Sequence, residues 1–142
     1  MSKSAIYTAN TSANTITLSA TQPVATIPLG TTVRRFGCNA RLSGTGILIE
    51  GEGYYDVDAS VTMTAVSAGN YTVKLFKDGV EVVGANQTVT AAASSVISFN
   101  IPALVRLSCC NSASTLTLQL STTATLPVTV TVNNVGVVVE KI

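Results

Sequence analysis

Strict alternation between Gly53 and Ala65 constrains the fold more than any other feature of this sequence. The odd positions are apolar or small (Tyr55, Val57, Ala59, Val61, Met63 and Ala65), and the even positions between them are polar (Asp56, Asp58, Ser60, Thr62 and Thr64). Successive side chains of a strand leave on opposite faces, so this pattern predicts a β-strand with one buried face.

The alternation stops at residues 68–70 and resumes at Tyr71, which predicts a chain reversal and a second strand. Asp78 and Gly79 then supply two residues that readily adopt positive φ, as a tight hairpin turn requires. We therefore predict a third strand directly after this turn.

The same period recurs along most of the chain. Its apolar positions are Phe36, Cys38, Ala40 and Leu42, then Ile97, Phe99, Ile101, Ala103, Val105, Leu107 and Cys109, then Leu116, Leu118 and Leu120, and finally Val128, Val130 and Val132. Residues 135–139 are apolar on both faces, which is typical of a strand in the middle of a sheet or at a subunit contact. We predict one all-β domain, a sandwich of about eight to ten antiparallel strands with almost no helix.

Three short segments resemble the central strands of TNF/C1q-like jelly rolls, above all the small versions in tailed-phage and prophage genomes. They are Gly-Tyr-Tyr-Asp-Val at residues 53–57, Gly-Asn at 69–70 and Val-Lys-Leu-Phe-Lys-Asp-Gly at 73–79. The resemblance extends over most of the chain from about Ile27 and includes Ser-Cys-Cys at residues 108–110. Unlike animal C1q-like domains, the chain has no tryptophan and few aromatic residues. The resemblance implies a TNF/C1q-like jelly roll that forms a homotrimer.

The resemblance also implies that Tyr54 and Tyr55 lie on the strand next to the trimer axis and that one of them packs against its symmetry mates. The alternative is that both simply cover their own sheet. We predict a trimer interface made of Tyr54, Tyr55, Val57, Arg35 and Arg106. Arg35, Arg41 and Arg106 are the candidates for ion pairs across subunits with Asp56 and Asp58.

Residues 1–30 are rich in Thr, Ser, Ala and Asn, and they are predicted to form an N-terminal arm or edge strands before a jelly-roll domain at residues 31–142. Pro23 and Pro28 lack the backbone donor that a central strand needs. As an arm, the segment would dock on a partner through Ile6, Tyr7, Ile27 and Leu29, and deleting residues 2–14 would abolish docking but leave the trimer intact. The alternative is that residues 15–29 form edge strands of the same jelly roll.

The composition favours contacts between proteins. Hydrophobic residues make up 46% of the chain and charged residues 11%, with a formal net charge of +1. We expect the apolar surplus to be buried between subunits, and we expect neither nucleic acid nor membrane as a partner. The N-terminus lacks the apolar core of a secretory signal, so we expect assembly in the host cytoplasm.

The sequence offers little for catalysis. It has no histidine, which removes Ser-His and Cys-His pairs and imidazole metal sites. Glu50, Glu52, Asp56 and Asp58 form a carboxylate cluster that suits either Ca²⁺ or, more commonly, a solvated or arginine-paired strand face. We predict no catalytic residue, no cofactor and no metal. Cys38 and Cys109 fall at apolar positions and are predicted as core thiols, whereas Cys110 points outward, where an inter-subunit disulfide could form.

These observations favour a structural protein of a phage virion. We predict a non-enzymatic homotrimer that decorates the capsid, binds the major capsid protein and stabilises the shell. The alternative is the receptor- or glycan-binding head of a tail or head fibre, for which Tyr71 with Asn70 and Asn86 is the nearest sugar-binding set. No heptad or Gly-x-y repeat of a fibre stalk is present in the sequence, which favours decoration.

Overall fold

The computed structural model describes residues 3–108 and 113–142 of the chain. These residues form twelve strands. They are β1 (Ala5–Asn10), β2 (Asn14–Leu18), β3 (Val24–Thr26), β4 (Thr31–Phe36), β5 (Ala40–Ser43), β6 (Gly46–Glu50), β7 (Gly53–Ala65), β8 (Gly69–Lys77), β9 (Val80–Ala91), β10 (Ser95–Leu107), β11 (Ala113–Thr122) and β12 (Val128–Lys141). The prediction of an all-β chain is confirmed, and the additional strands are short ones in the first third of the chain.

Two antiparallel sheets pack face to face as a jelly-roll sandwich. Sheet A has the order β10-β7-β12-β1-β4. On the same side as β1, strand β2 pairs with residues 128–132 of β12, whereas β1 pairs with residues 135–140. Sheet B has the order β5-β6-β11-β8-β9, with β3 paired to β11. The strand with apolar residues at 135–139 is β12, which lies between β7 and β1 as its two-sided apolar pattern predicts.

The core lies between the sheets and follows the predicted alternation. On β7 all six apolar positions from Tyr55 to Ala65 are buried, and the polar positions between them face outward. The apolar positions that share the inward face of β10, β11 and β12 are buried in the same way, apart from a half-buried Ala103, whereas Val96, Leu104 and Val138 point outward and are exposed. Burying such side chains is the main source of stability, because each removes apolar surface from water.

The predicted hairpin at Asp78 and Gly79 is confirmed, with φ values of 52° and 78° between β8 and β9. The preceding reversal joins different sheets, because β7 pairs with β10 and β12 whereas β8 pairs with β9 and β11. The sequence predicts a break at residues 68–70, and in the structure the break covers residues 66–68, because Gly69 and Asn70 already belong to β8. The partners of each strand decide which sheet it enters.

Cys38 is a correction to the predicted core, because its side chain is exposed and 60% of Phe36 is exposed as well. The alternation from Phe36 to Leu42 does not belong to one strand. Gly37, with φ of 77°, ends β4 in sheet A, and the chain then enters β5 in sheet B. Cys109 and Cys110 lie outside the described residues.

Two buried tyrosines close opposite ends of the sandwich. The Tyr55 hydroxyl donates to the carbonyl oxygens of Glu50 and Gly51, at 2.6 and 2.8 Å. The Tyr71 hydroxyl donates to the carbonyl oxygen of Ser67 at 2.7 Å. Both rings are fully buried, and burial raises the pKa of both hydroxyls, with the Glu50 carboxylate adding to the rise at Tyr55.

We expect Tyr55→Phe to lower the free energy of unfolding by about 1–3 kcal/mol, because it removes the side-chain donor to the Gly51 carbonyl oxygen and one of the two donors to the Glu50 carbonyl oxygen, which keeps the Asn39 Nδ2 donor at 2.7 Å. Urea unfolding at pH 7 measures this loss. Tyr54→Phe is the matched control, because the Tyr54 side chain is 49% exposed, and we expect it to cost little. Equal losses for the two variants would contradict the assigned role of the Tyr55 hydroxyl.

The same hydroxyls predict alkaline instability. A tyrosine whose pKa is raised in the folded state contributes stability below its unfolded pKa of about 10, and this is lost as the pH rises through the folded pKa. We therefore expect the wild-type protein to lose stability above about pH 10 and the Tyr55→Phe, Tyr71→Phe double variant to lose less over the same interval. Chemical unfolding at pH 9 and at pH 11 measures how much free energy of unfolding each of the two proteins loses over this interval.

Candidate functional site

The outward surface of sheet A, called the outer face below, carries both charges and exposed rings. It is formed by Tyr7 of β1, Arg34 and Phe36 of β4, Tyr54, Asp56, Asp58 and Ser60 of β7, Asn100 and Leu104 of β10, and Asn134, Val138 and Glu140 of β12. The antiparallel register brings these residues together: Asp56 lies opposite both Leu104 and Glu140, and Val138 lies opposite both Asp58 and Tyr7.

No ion pair among the described residues includes a carboxylate of the outer face. Asp56 and Glu140 are direct cross-strand neighbours, and Asp58 follows Asp56 on the same face. Like charges placed opposite each other destabilise a sheet. Within residues 3–108 and 113–142 the ion pairs are Arg41–Glu50 at 3.3 Å and Lys74–Glu81 at 3.5 Å, and neither includes these carboxylates. A cation from outside the protomer would relieve this repulsion.

Large apolar side chains are exposed around these carboxylates. The exposed fractions are 40% for Tyr7, 60% for Phe36, 49% for Tyr54, 59% for Leu104 and 39% for Val138. A shallow depression of about 190 Å³ is lined by Tyr7, Phe36 and Val138, and another of about 340 Å³ lies beside it over Asp58, Asn100 and Asn134. Contiguous exposed apolar surface of this kind marks a contact site.

A groove of about 400 Å³, called the edge groove below, runs beside the free edge of β10. Its walls are Lys77, Asp78, Val80, Glu81 and Val82 from the β8–β9 hairpin and Leu104, Val105 and Arg106 from β10. Lys77 and Arg106 have no ion-pair partner in the described part of the chain. The Arg106 guanidinium lies 5.9 Å from the centre of the Tyr54 ring, within the range of a cation–π contact.

The residues predicted for the trimer interface are divided by the structure. Tyr54 and Arg106 lie together on the outer face and its edge. Tyr55 and Val57 have no exposed surface and belong to the protomer core. Arg35 lies at the opposite edge of sheet A, where its Nε donates to the carbonyl oxygen of Ala40 at 2.6 Å.

Tyr54 and Tyr55 thus have different roles, because successive side chains of β7 point to opposite faces of the sheet. The alternation of apolar and polar residues along β7 already indicates that Tyr55 faces the core and Tyr54 faces outward. Arg41, another predicted inter-subunit cation, is engaged within the protomer by Glu50.

Of the residues predicted to dock on a capsid, only Tyr7 is accessible. Ile6, Ile27 and Leu29 are at most 2% exposed and pack in the core. The reason is that β1, β2 and β3 are all incorporated into the two sheets, and β1 lies between β12 and β4. The pattern Ile6-Tyr7-Thr8 already alternates as a strand does, and it was the surrounding Thr- and Ser-rich composition that suggested an arm.

The candidate sugar-binding set is not assembled at the surface. Tyr71 is fully buried, and the Asn70 side chain accepts a hydrogen bond from the Thr90 hydroxyl at 2.8 Å. Among the described residues, no group of three or more His, Cys, Asp or Glu side chains is arranged to hold a metal ion. The part of the chain that the structure describes also contains no helix long and apolar enough to cross a membrane.

Comparison with known structures defines the class of fold. Murine APRIL superimposes with a TM-score of 0.71 at 9% identity, over 99% of this chain and 100% of the APRIL chain. The Eiger TNF of S. frugiperda gives a TM-score of 0.65 at 12% identity, over 98% of this chain and 91% of that one. The PRD1 vertex protein P5 gives 0.55 at 14% identity, over 97% of this chain and 72% of that one.

By sequence, the chain matches no family profile and no curated protein. At these identities the structural likeness establishes the fold alone. The chain is a TNF-like jelly roll, and the resemblance read from its central strands is confirmed at that level.

Proposed function

We propose that this chain is a non-enzymatic structural protein of a phage virion, a homotrimer that decorates the capsid and stabilises the shell. The observation that carries the proposal is the outer face of sheet A, where uncompensated carboxylates are surrounded by exposed apolar side chains. Such a surface fits a protein contact better than chemistry, since the chain has no histidine.

The outer face and the edge groove are complementary to each other. The outer face carries Asp56, Asp58 and Glu140. Among the described residues the edge groove carries Lys77 and Arg106 without ion-pair partners, whereas its own carboxylates are engaged, Glu81 by Lys74 at 3.5 Å and Asp78 by the Thr115 amide at 2.8 Å. A contact between two different surfaces of the same chain is heterologous, and it closes into a ring when each copy is rotated equally. A ring of three copies would pair every outer face with the edge groove of its neighbour.

Charge reversal tests the trimer. We expect Asp56→Lys and Arg106→Glu each to shift the trimer toward monomers, because each places like charges in contact across the interface at a cost of about 2–5 kcal/mol. The double variant restores opposite charges and is expected to recover trimers. Light scattering at micromolar concentration measures the oligomer. Glu52→Lys is the control, since Glu52 is exposed but lies outside both surfaces.

Two outcomes would contradict this proposal. A wild-type protein that is monomeric at micromolar concentration would exclude a stable trimer. A trimer that is unaffected by both single reversals would place the interface elsewhere.

The symmetry of such a trimer supports the proposed decoration of a shell. Three equal contacts act together on a three-fold position and gain avidity without a large interface on any one subunit. The fold of the PRD1 vertex protein P5, a phage protein, supports a place on a virion for a chain of this architecture. Co-sedimentation of the purified trimer with emptied shells of the phage that encodes it tests the proposal. Binding to tail fibres or host cells, and never to shells, would favour the receptor-binding alternative.

A further inference from the structure

The charged side chains of this protein are confined to one half of the sandwich. The chain has eight Lys and Arg and seven Asp and Glu residues, and residues 4–33, 59–73, 82–105 and 107–139 contain none of them. On β7 the charges precede Ala59, on β10 the only charge is Arg106, and on β12 the charges begin at Glu140. Because these strands are antiparallel in register, their charged portions meet at the same end.

The opposite end, called the uncharged end below, is built from four connections between the two sheets. They are residues 19–23, 66–68, 92–94 and 123–127, which join β2 to β3, β7 to β8, β9 to β10 and β11 to β12. Their side chains are Ser, Thr, Ala, Val, Gln, Leu and Pro. Val66 within this end is 52% exposed, and Val24 and Val96, which border it, are 42% and 64% exposed.

Hydrogen bonds hold the connections of the uncharged end in place. The Ser94 amide donates to the carbonyl oxygen of Val66 at 3.2 Å, and the Thr123 amide donates to that of Asn70 at 2.9 Å. The Tyr71 hydroxyl fixes the carbonyl oxygen of Ser67 from below at 2.7 Å. A surface ordered in this way loses little conformational entropy when it binds, so even a small contact is effective.

We infer that the uncharged end is the surface that docks on the shell, and that it meets an uncharged protein surface there. This inference rests on the proposed function and specifies its contact. A charged residue of the partner would be buried at this end without a counter-charge, which is costly. The cores of protein interfaces are depleted of charged residues for the same reason. The uncharged end therefore favours a partner surface that is also uncharged. Among the described residues this end exposes no aromatic ring on which a sugar would stack, so a protein surface suits it better than a glycan. In a closed ring all three uncharged ends point the same way.

Charges added to the uncharged end test the inference. Ala93→Lys and Ala93→Glu each place one charge on an exposed residue of this end. We expect both signs to weaken co-sedimentation with emptied shells by about tenfold or more, since either charge must be desolvated. Thr125→Lys is a second, independent variant on an exposed residue. Val83→Lys and Val83→Glu are the controls, because Val83 is 98% exposed and lies on β9 away from this end, and we expect them to bind as the wild type does.

Salt separates a neutral contact from a charged one. We expect binding of the wild-type trimer to shells to change by less than about twofold between 50 and 500 mM NaCl, because ionic screening acts on charges. Light scattering and thermal melting of each variant confirm that the trimer itself is intact, and they keep a folding defect from being counted as a loss of docking.

The outcomes distinguish this inference from the proposed function. If wild-type trimers bind shells and the Ala93 and Thr125 variants bind equally well, the docking surface lies elsewhere and decoration still stands. If only one sign of charge weakens binding, the shell surface is charged and the neutral contact is wrong. If wild-type trimers pair end to end and the added charges separate them, the occupant is a second copy. If trimers form and never bind shells, the proposed function fails and this inference with it.

Discussion

Deleting residues 2–14 is expected to leave no folded protein. Strand β1 lies between β12 and β4, with paired residues from Ala5 to Asn10 on one side and from Ala5 to Ala9 on the other. Its removal would separate β4 from sheet A, open the core at Ile6 and expose the edge of β12. We expect this loss to exceed the total stability of about 5–15 kcal/mol that a domain typically has.

Circular dichroism and the yield of soluble protein measure the outcome. Deleting only residues 2 and 3 is the control, because Lys3 precedes β1 and the Ser4 carbonyl that accepts from the Lys141 amide at 2.8 Å is retained. If residues 1–30 act as an arm, the deletion spares the trimer, whereas the pairing of β1 with both β12 and β4 predicts that the sandwich unfolds. A shortened protein with wild-type melting behaviour would show that β1 contributes little to the sandwich.

Gly30→Ala is expected to destabilise the fold severely, although it adds only one methyl group. Gly30 has φ of +83°, and an added Cβ would overlap the carbonyl oxygen of Ala9 and lie 2.7 Å from the Asn10 Cα. Both neighbours are backbone atoms of β1 and its end, so neither can move aside as a flexible side chain would. We expect a loss of about 4 kcal/mol or more in the free energy of unfolding, which is exceptional for a single substitution.

Gly84→Ala separates backbone strain from steric overlap. Gly84 has φ of +80°, nearly the same as Gly30, but apart from its two chain neighbours no residue has an atom within 4 Å of the added Cβ. The left-handed conformation by itself costs an alanine about 1–2 kcal/mol, and we expect Gly84→Ala to lose only that much. Urea unfolding of both variants measures the difference. Equal losses would mean that the contact between Gly30 and β1 relaxes without cost.

The sequence by itself determined the local structure of this protein. The alternation on β7, β10, β11 and β12 specified which side chains are buried, because the period of a strand is a property of its own backbone. The Asp78-Gly79 hairpin followed from the intrinsic tolerance of these residues for positive φ. The jelly-roll class followed from the likeness of the central strands.

Only the tertiary structure decided which strands became neighbours, since pairing depends on residues far apart in the chain. It separated β7 from β8 into different sheets, and it incorporated β1 into sheet A although its flanks read as an arm. It divided the predicted interface by burying Tyr55 and exposing Tyr54. The charged residues are scattered along the sequence. They gather in one half of the sandwich because the antiparallel register places Asp56 opposite both Leu104 and Glu140. The uncharged end is therefore a result of the strand register and not of any one segment.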